Sequence, residues 1–215
     1  MCGKFTAKAD WTEIVDFIND TSPSAGDDRR TYRVMDMVPV IVRDADERRT
    51  MMMRWGFPDP NDWKKPRPIH ARGETVDATP AFAQAFRDGQ RGIVLVETFN
   101  EAPDSGEQHT VTPPAPVGIA FVWRRFQAGD RTMLAAVMVT VAANALLAGL
   151  PTDRMPAIVA PEDWATWLGE NDATPEAAKA CLRTVNDIRW TMTREERARS
   201  ARRARPTVAE PGGLF

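Results

Sequence analysis

MLAAVMVTVAANALLAGL, residues 133–150, is the stretch from which the architecture can be read. It carries no charged residue and is long enough to suggest a membrane-spanning helix. Its six Ala, together with Thr140 and Asn144, leave it weakly apolar, and its character changes midway. Residues 133–141 are rich in Val and Met, as a buried strand is, whereas 144–150 read as helix and stop at Gly149-Leu150-Pro151. Strand followed by helix is expected, and no membrane span.

The neighbouring segments agree with that reading. Apolar runs at 93–99 and 118–126 are expected strands, and so are 38–43 and 50–55, which flank the turn-rich Asp44-Ala45-Asp46-Glu47 as a hairpin. A first helix is expected after Asp10, a cap with Glu13 three residues on; Trp11, Ile14, Val15 and Ile18 form its apolar face. A second runs from Thr79-Pro80 to Gly89 with Phe82 and Phe86 buried. Short helices are expected at 162–168 and 175–183, then a strand at 185–191. Segments 21–30, 64–68 and 102–116 read as loops. Many strands with short links, and helices at the ends, predict the α+β class in one domain over residues 1–191. Residues 192–215 read as a tail: Arg194, Arg197, Arg199, Arg202, Arg203 and Arg205 stand against Glu195 and Glu196. That tail is either a solvated, frayed helix or a loose clamp for nucleic-acid phosphates.

Composition narrows the function. With 215 residues, net charge -2 and pI ≈ 5.8, the chain is not held to nucleic acid by overall basicity, so any such contact needs a local cationic cluster. Two cysteines, Cys2 and Cys181, make no disulfide framework, and with two His they make no zinc finger; no metal is expected. No leader pattern opens the chain, and a cytoplasmic protein is expected.

Cys2 is the residue of greatest chemical interest. A small second residue permits removal of Met1, which would leave cysteine at the amino terminus. Thiol and α-amine would then stand on adjacent carbons, with ordinary pKa values of about 8.5 and about 7.7–8.0. Such an aminothiol condenses with an aldehyde: the amine forms the imine and the thiol closes a five-membered thiazolidine. An internal Cys or Lys offers no such ring closure.

Met1-Cys2-Gly3-Lys4-Phe5 resembles the opening of the SRAP family, the SOS response-associated peptidases or abasic-site-processing proteins, with Lys4 in place of the usual Arg. Arg54-Trp55-Gly56-Phe57-Pro58 resembles the family's Arg-Trp-Gly segment, and His70-Ala71-Arg72-Gly73-Glu74-Thr75 its Asn-Ala-Arg-x-Glu-Thr motif. Thr98-Phe99-Asn100-Glu101-Ala102 stands where the family has Gly-Phe-Tyr-Glu-Trp. Asn144-Ala145-Leu146-Leu147, then Thr152-Asp153-Arg154-Met155-Pro156, is similar to Ala-Asn-x-Leu…His-x-Arg-Met-Pro. The resemblance spans roughly residues 2–190.

The resemblance implies a mainly antiparallel, barrel-like β core with peripheral helices. It implies binding of single-stranded DNA at abasic sites and capture of the ring-opened sugar as a thiazolidine on the amino-terminal Cys, with peptidase activity meaning removal of the initiator Met. A monomer without cofactor is the corresponding expectation. Of the family's site, Cys2 and Glu101 match; His70 stands at the Asn position and Thr152 at the His position. Glu101 would be the general acid/base. His70 would either move protons or hydrogen-bond the chain as Asn does. Thr152 cannot change charge near neutrality. Arg72 and Arg154 match the DNA-contacting arginines, with Arg54 and Lys4 as further candidates. Trp55 would either stack on a base or pack in the core. Two alternatives stay open: a degenerate module that binds DNA or a partner without a covalent bond, and an amino-terminal-Cys amidotransferase of class II type.

Overall fold

The computed structural model describes residues 2–8, 29–101, 107–150, 152–186 and 189–195. The helix expected after Asp10 lies outside these residues, as does the tail beyond Glu195. Fifteen strands and three short α-helices make up the described part. In chain order they are β1 (Lys4–Lys8), β2 (Arg29–Arg33), β3 (Met37–Asp44), β4 (Glu47–Trp55), β5 (Pro58–Asp59), β6 (Asp62–Pro66) and β7 (His70–Arg72). There follow α1 (Ala83–Arg87), β8 (Arg91–Val96), β9 (Thr98–Glu101), β10 (His109–Thr112), β11 (Val117–Ala128) and β12 (Arg131–Ala142). The last are β13 (Arg154–Pro156), β14 (Ile158–Val159), α2 (Trp164–Leu168), α3 (Pro175–Ala180) and β15 (Thr191–Arg194).

Two sheets carry the architecture. In the first, β12, β4, β3, β8 and β11 are hydrogen-bonded in that order, and β11 pairs back onto β12, so the five close into a barrel. Closure removes free edges. It depends on one short parallel contact, Ala135 and Ala136 of β12 against Arg54 and Trp55 of β4. Small residues at 135 and 136 let the strands meet beside the Trp55 ring. β7 and β13 extend β12, and β14 extends β11. The second sheet is antiparallel, in the order β15-β10-β9-β1-β2.

The chain passes from one sheet to the other within a single run. β8 belongs to the barrel, β9 to the second sheet, and at Glu97 between them the amide donates to the Thr6 carbonyl at 2.9 Å. Aromatic side chains fill the space between the sheets. Phe5 lies 5.1 Å from Trp55 and 5.4 Å from Tyr32, centroid to centroid, and Trp55 meets Phe121 at 6.2 Å.

The hairpin expected around Asp44-Ala45-Asp46-Glu47 is present, with Ala45 in the left-handed region at φ 54 that a two-residue hairpin turn demands. The strand expected at 133–141 is present within β12, and no described helix is long and apolar enough to cross a membrane. Other expectations need correction. The helix expected from Thr79 starts only at Ala83, because the Thr79 carbonyl accepts from both Phe82 and Ala83 amides and residues 79–82 stay in turns. Residues 144–150 hold only a 3-10 turn, Leu147–Gly149, with Asn144 Oδ1 accepting from the Leu147 amide at 3.0 Å. The expected loop 102–116 contains β10, which finds partners in β9 and β15. Of the strand expected at 185–191, only Thr191 is strand among the described residues; there β15 (Thr191–Arg194) begins and runs across the boundary at which the tail was expected.

Gly92 shows how tightly the barrel closes. A Cβ there would press on Val40 Cγ1 and lie 3.0 Å from the Ile41 carbonyl oxygen, which is backbone and cannot swing aside. Gly92→Ala is expected to destabilise the protein by about 1–3 kcal/mol, the range for overpacking a core; chemical denaturation measures it, and unchanged stability would contradict this closure.

Candidate active site

The three strands that matter end or begin at one place. β1 starts at Lys4, so Cys2 and Gly3 lead into it; β9 ends at Glu101; β7 starts at His70. Lys4 lies opposite Asn100 in the β1–β9 ladder, which brings Cys2 alongside Glu101. The Cys2 backbone amide and thiol both interact electrostatically with the Glu101 carboxyl. His70 Nε2 lies 2.7 Å from the Cys2 carbonyl oxygen. That oxygen can only accept, so Nε2 carries the proton and donates. Cys2, Glu101 and His70 therefore converge.

Burial is the dominant influence on all three. Cys2 is 1% and Glu101 0% exposed. Removal from water disfavours whichever form is charged. The Cys2 thiol, which contacts the Lys4 carbonyl at 3.4 Å, is pushed up to about 12 by burial and then by the Glu101 charge. Glu101 is raised by burial to about 7. His70 is lowered, again chiefly by burial, so the ring is neutral at pH 7. Its Nδ1 is buried with no hydrogen-bond partner among the described residues. At neutral pH the site holds a thiol, a carboxyl poised between its two forms, and a neutral imidazole donor.

The other expected residues are placed differently. The Thr152 hydroxyl donates to the Arg154 carbonyl at 3.2 Å and accepts from the Arg154 amide at 3.5 Å, a local turn. None of its hydrogen bonds among the described residues reaches Cys2, Glu101 or His70. Arg154 grips Glu74 with both terminal nitrogens, at 2.7 and 2.8 Å. Arg72 is exposed at the end of β7.

Trp55 is a core residue, fully buried, with its indole nitrogen donating to the Ile69 carbonyl at 3.3 Å; it does not present a face to a base. Arg54 is likewise buried, against the expectation that it contacts DNA: its guanidinium meets the Trp63 carbonyl, Met35 Sδ at 2.8 Å and Met133 Sδ at 3.7 Å. Both residues end β4 at the barrel closure, where packing claims their side chains. Lys4 pairs with Glu195 at 2.8 Å. Glu195 was hidden in the Arg-rich run, and only the pairing of β10 with β15 brings it to the site. Among the described residues no group of three or more His, Cys, Asp or Glu side chains could hold a metal ion.

Comparison with known proteins adds to this geometry. The family model described as SOS response associated peptidase (SRAP) matches residues 1–197. The abasic site processing protein YoqW of Bacillus subtilis is 24% identical over 199 residues, covering 85% of this chain and 86% of that protein. YobE, an abasic site processing protein of the same organism, is 24% identical over 197 residues, covering 85% and 88%. A crystal structure of a protein from Bordetella bronchiseptica superposes with TM-score 0.75 at 22% identity, covering 91% of this chain and 100% of that one. One from Bacteroides thetaiotaomicron gives TM-score 0.76 at 17% identity, covering 91% and 93%. The two structures share the fold.

Burial of Glu101 has a consequence for stability. The folded protein holds a proton that the unfolded chain releases near the ordinary value of 4.5, so stability is full below that pH and is lost as pH rises through about 7. Glu101→Gln removes the loss. The variant is expected to be more stable than wild type by up to about 3 kcal/mol at about pH 8 and to show no such advantage at about pH 4. Equal differences at the two pH values in denaturant titrations would refute the burial argument.

Proposed function

This chain belongs to the SRAP family, and from that premise we propose that it processes abasic sites in single-stranded DNA by forming a covalent crosslink through Cys2 once Met1 has been removed. The observation that carries the reading is the placement of Cys2 beside the buried Glu101 carboxyl, with His70 bonded to the Cys2 carbonyl. The names of YoqW and YobE support the substrate.

In this reading the Cys2 α-amine attacks the aldehyde carbon of the ring-opened sugar. One amine proton passes to the aldehyde oxygen, which leaves as water with a second proton from Glu101; a protonated imine and the Glu101 carboxylate remain. The Cys2 sulfur then bonds to the imine carbon, the π pair moves to nitrogen and neutralises it, and the thiol proton passes to the Glu101 carboxylate, which regains its acid form. One water is released, and no oxidant or reductant is needed. A thiol raised to about 12 does not ionise by itself at neutral pH, so ring closure needs a base beside it. A carboxyl near 7 is suited to give a proton in one step and take it in the next. His70, neutral and bonded to the Cys2 carbonyl, fixes the nucleophile's backbone in the manner expected of an Asn at that position. Family membership sets aside the amidotransferase alternative.

Intact-mass measurement separates crosslinking from binding alone. The protein is expected to lack Met1 and, with an oligonucleotide holding one abasic site, to gain the oligonucleotide's mass less one water on its amino-terminal peptide. Cys2→Ala is expected to gain none. Binding without an adduct would convert the proposal into the degenerate-module alternative.

The rate of adduct formation is expected to show an inflection near pH 7, where Glu101 changes between its acid and base forms. In Glu101→Gln that inflection should vanish and the rate fall by about 10²–10⁴, the usual contribution of a positioned acid/base group. A variant that keeps both the inflection and the rate removes Glu101 from the mechanism.

A further inference from the structure

The Glu195 carboxylate is held by donors from three strands. Its Oε1 accepts from Lys4 Nζ at 2.8 Å, Asn100 Nδ2 at 2.6 Å and Thr110 Oγ1 at 3.0 Å, and its Oε2 accepts from Lys4 Nζ at 2.9 Å. The donors form a line across the second sheet, since Lys4 is opposite Asn100 and Asn100 opposite Thr110. On the other face of these strands Phe5, Phe99 and Val111 are fully buried, so the line lies on the face away from the core. Asn100 is only 3% exposed, while the Lys4 and Glu195 side chains are 20% and 34% exposed. The Lys4 hydrogen bond, first among several, holds the Glu195 carboxyl below its usual range, so the occupant is an anion.

An ammonium, an amide NH₂ and a hydroxyl converging on the oxygens of one anion form the donor set that a phosphate requires. The group adjoins the reacting residues: Lys4 is two residues from Cys2, and Asn100 immediately precedes Glu101. We propose that Lys4, Asn100 and Thr110 form a phosphate-binding site, and that Glu195 occupies it until a phosphate of the bound strand displaces it. Exchange of one anion for another keeps the buried Asn100 amide satisfied and the Lys4 charge compensated. The strand does not depend on this contact, because β15 is independently held by its ladder to β10 and by the Glu195 amide, which donates to the Gln108 carbonyl at 2.8 Å.

The inference rests on the proposed DNA chemistry for the identity of its ligand, so its test needs no abasic site and no Cys2 reaction. Binding of an undamaged single-stranded oligonucleotide is measured across a salt series. Glu195→Ala is expected to bind about fivefold more tightly at low salt, the scale of one partly exposed charge pair. Its salt dependence should be steeper by about 0.7 in log–log slope, one further phosphate contact on a single strand. Lys4→Ala added to Glu195→Ala should cancel both gains. Glu195→Gln, which keeps the shape and removes the charge, should shift in the same direction. Inorganic phosphate should move the Asn100 and Thr110 NMR signals in Glu195→Gln at concentrations that leave the wild type unchanged. Binding no tighter than wild type in Glu195→Gln, with no phosphate response, would overturn the site whether or not the protein crosslinks abasic DNA.

Discussion

The register of β1 against β9 is the constraint on which the site depends. Phe5 stands opposite Phe99, both fully buried, and the pair is wedged between Trp55 on one side and Trp190 on the other. Side chains alternate along a strand, so a slip by one residue would drive Lys4 into this core and turn Phe5 to solvent. Burial of the two rings thus forbids the slip, and the same register sets Cys2 beside Glu101. The candidate pair inherits its geometry from aromatic packing. The covalent continuity of β8 and β9 then fixes the pair to the closed barrel, while β7, laid parallel on β12, supplies His70 from the barrel side.

Within that geometry one cause sets the chemistry. Burial raises the thiol, raises the carboxyl and lowers the imidazole, so each side chain is driven toward its uncharged form. A site built to hold a thiolate would surround the sulfur with cations. Here the neighbour is a carboxyl, which opposes thiolate formation. The arrangement suits a reaction in which sulfur is deprotonated only as it attacks an activated carbon, with the proton handed to a group nearby. Carbon made electrophilic as an imine needs no standing thiolate.

How much of this the sequence discloses depends on how each segment earns its structure. Residues 133–141 and the hairpin at 38–55 are long, apolar and bounded by turn residues, and they read correctly. β1, β2, β7 and β10 do not, because Lys4–Lys8, Arg29–Arg33, His70–Arg72 and His109–Thr112 are short or alternate with charges and hydroxyls. Their conformation comes from partners distant in sequence. Among candidate site residues, Cys2, Glu101 and His70 are named through motif resemblance, and the fold sets Cys2 beside Glu101 and within reach of His70. Trp55 and Arg54 lie in a motif of the same kind but serve barrel closure, and a motif does not say which of its side chains face inward. Glu195 had no sequence signal of its own, since an acid in an Arg-rich run reads as ordinary charge balance.

Charge balance is nevertheless what links these observations. Lys4 and Arg154, two of the cations expected against a DNA backbone, are each gripped by a carboxylate from a distant part of the chain, Glu195 and Glu74 respectively. Arg72, on the strand that starts at His70, is exposed, and no ion pair among the described residues engages it. A chain of net charge -2 that satisfies its cations internally gains little from long-range attraction to a polyanion. Each cation is still held in place, partly desolvated, by the carboxylate that neutralises it. Replacing that carboxylate with a phosphate then costs little reorganisation, because the donors already converge. On the function proposed above, internal pairing of this kind would weaken indiscriminate attachment to nucleic acid while keeping the donors ordered for a strand that arrives in register with Cys2.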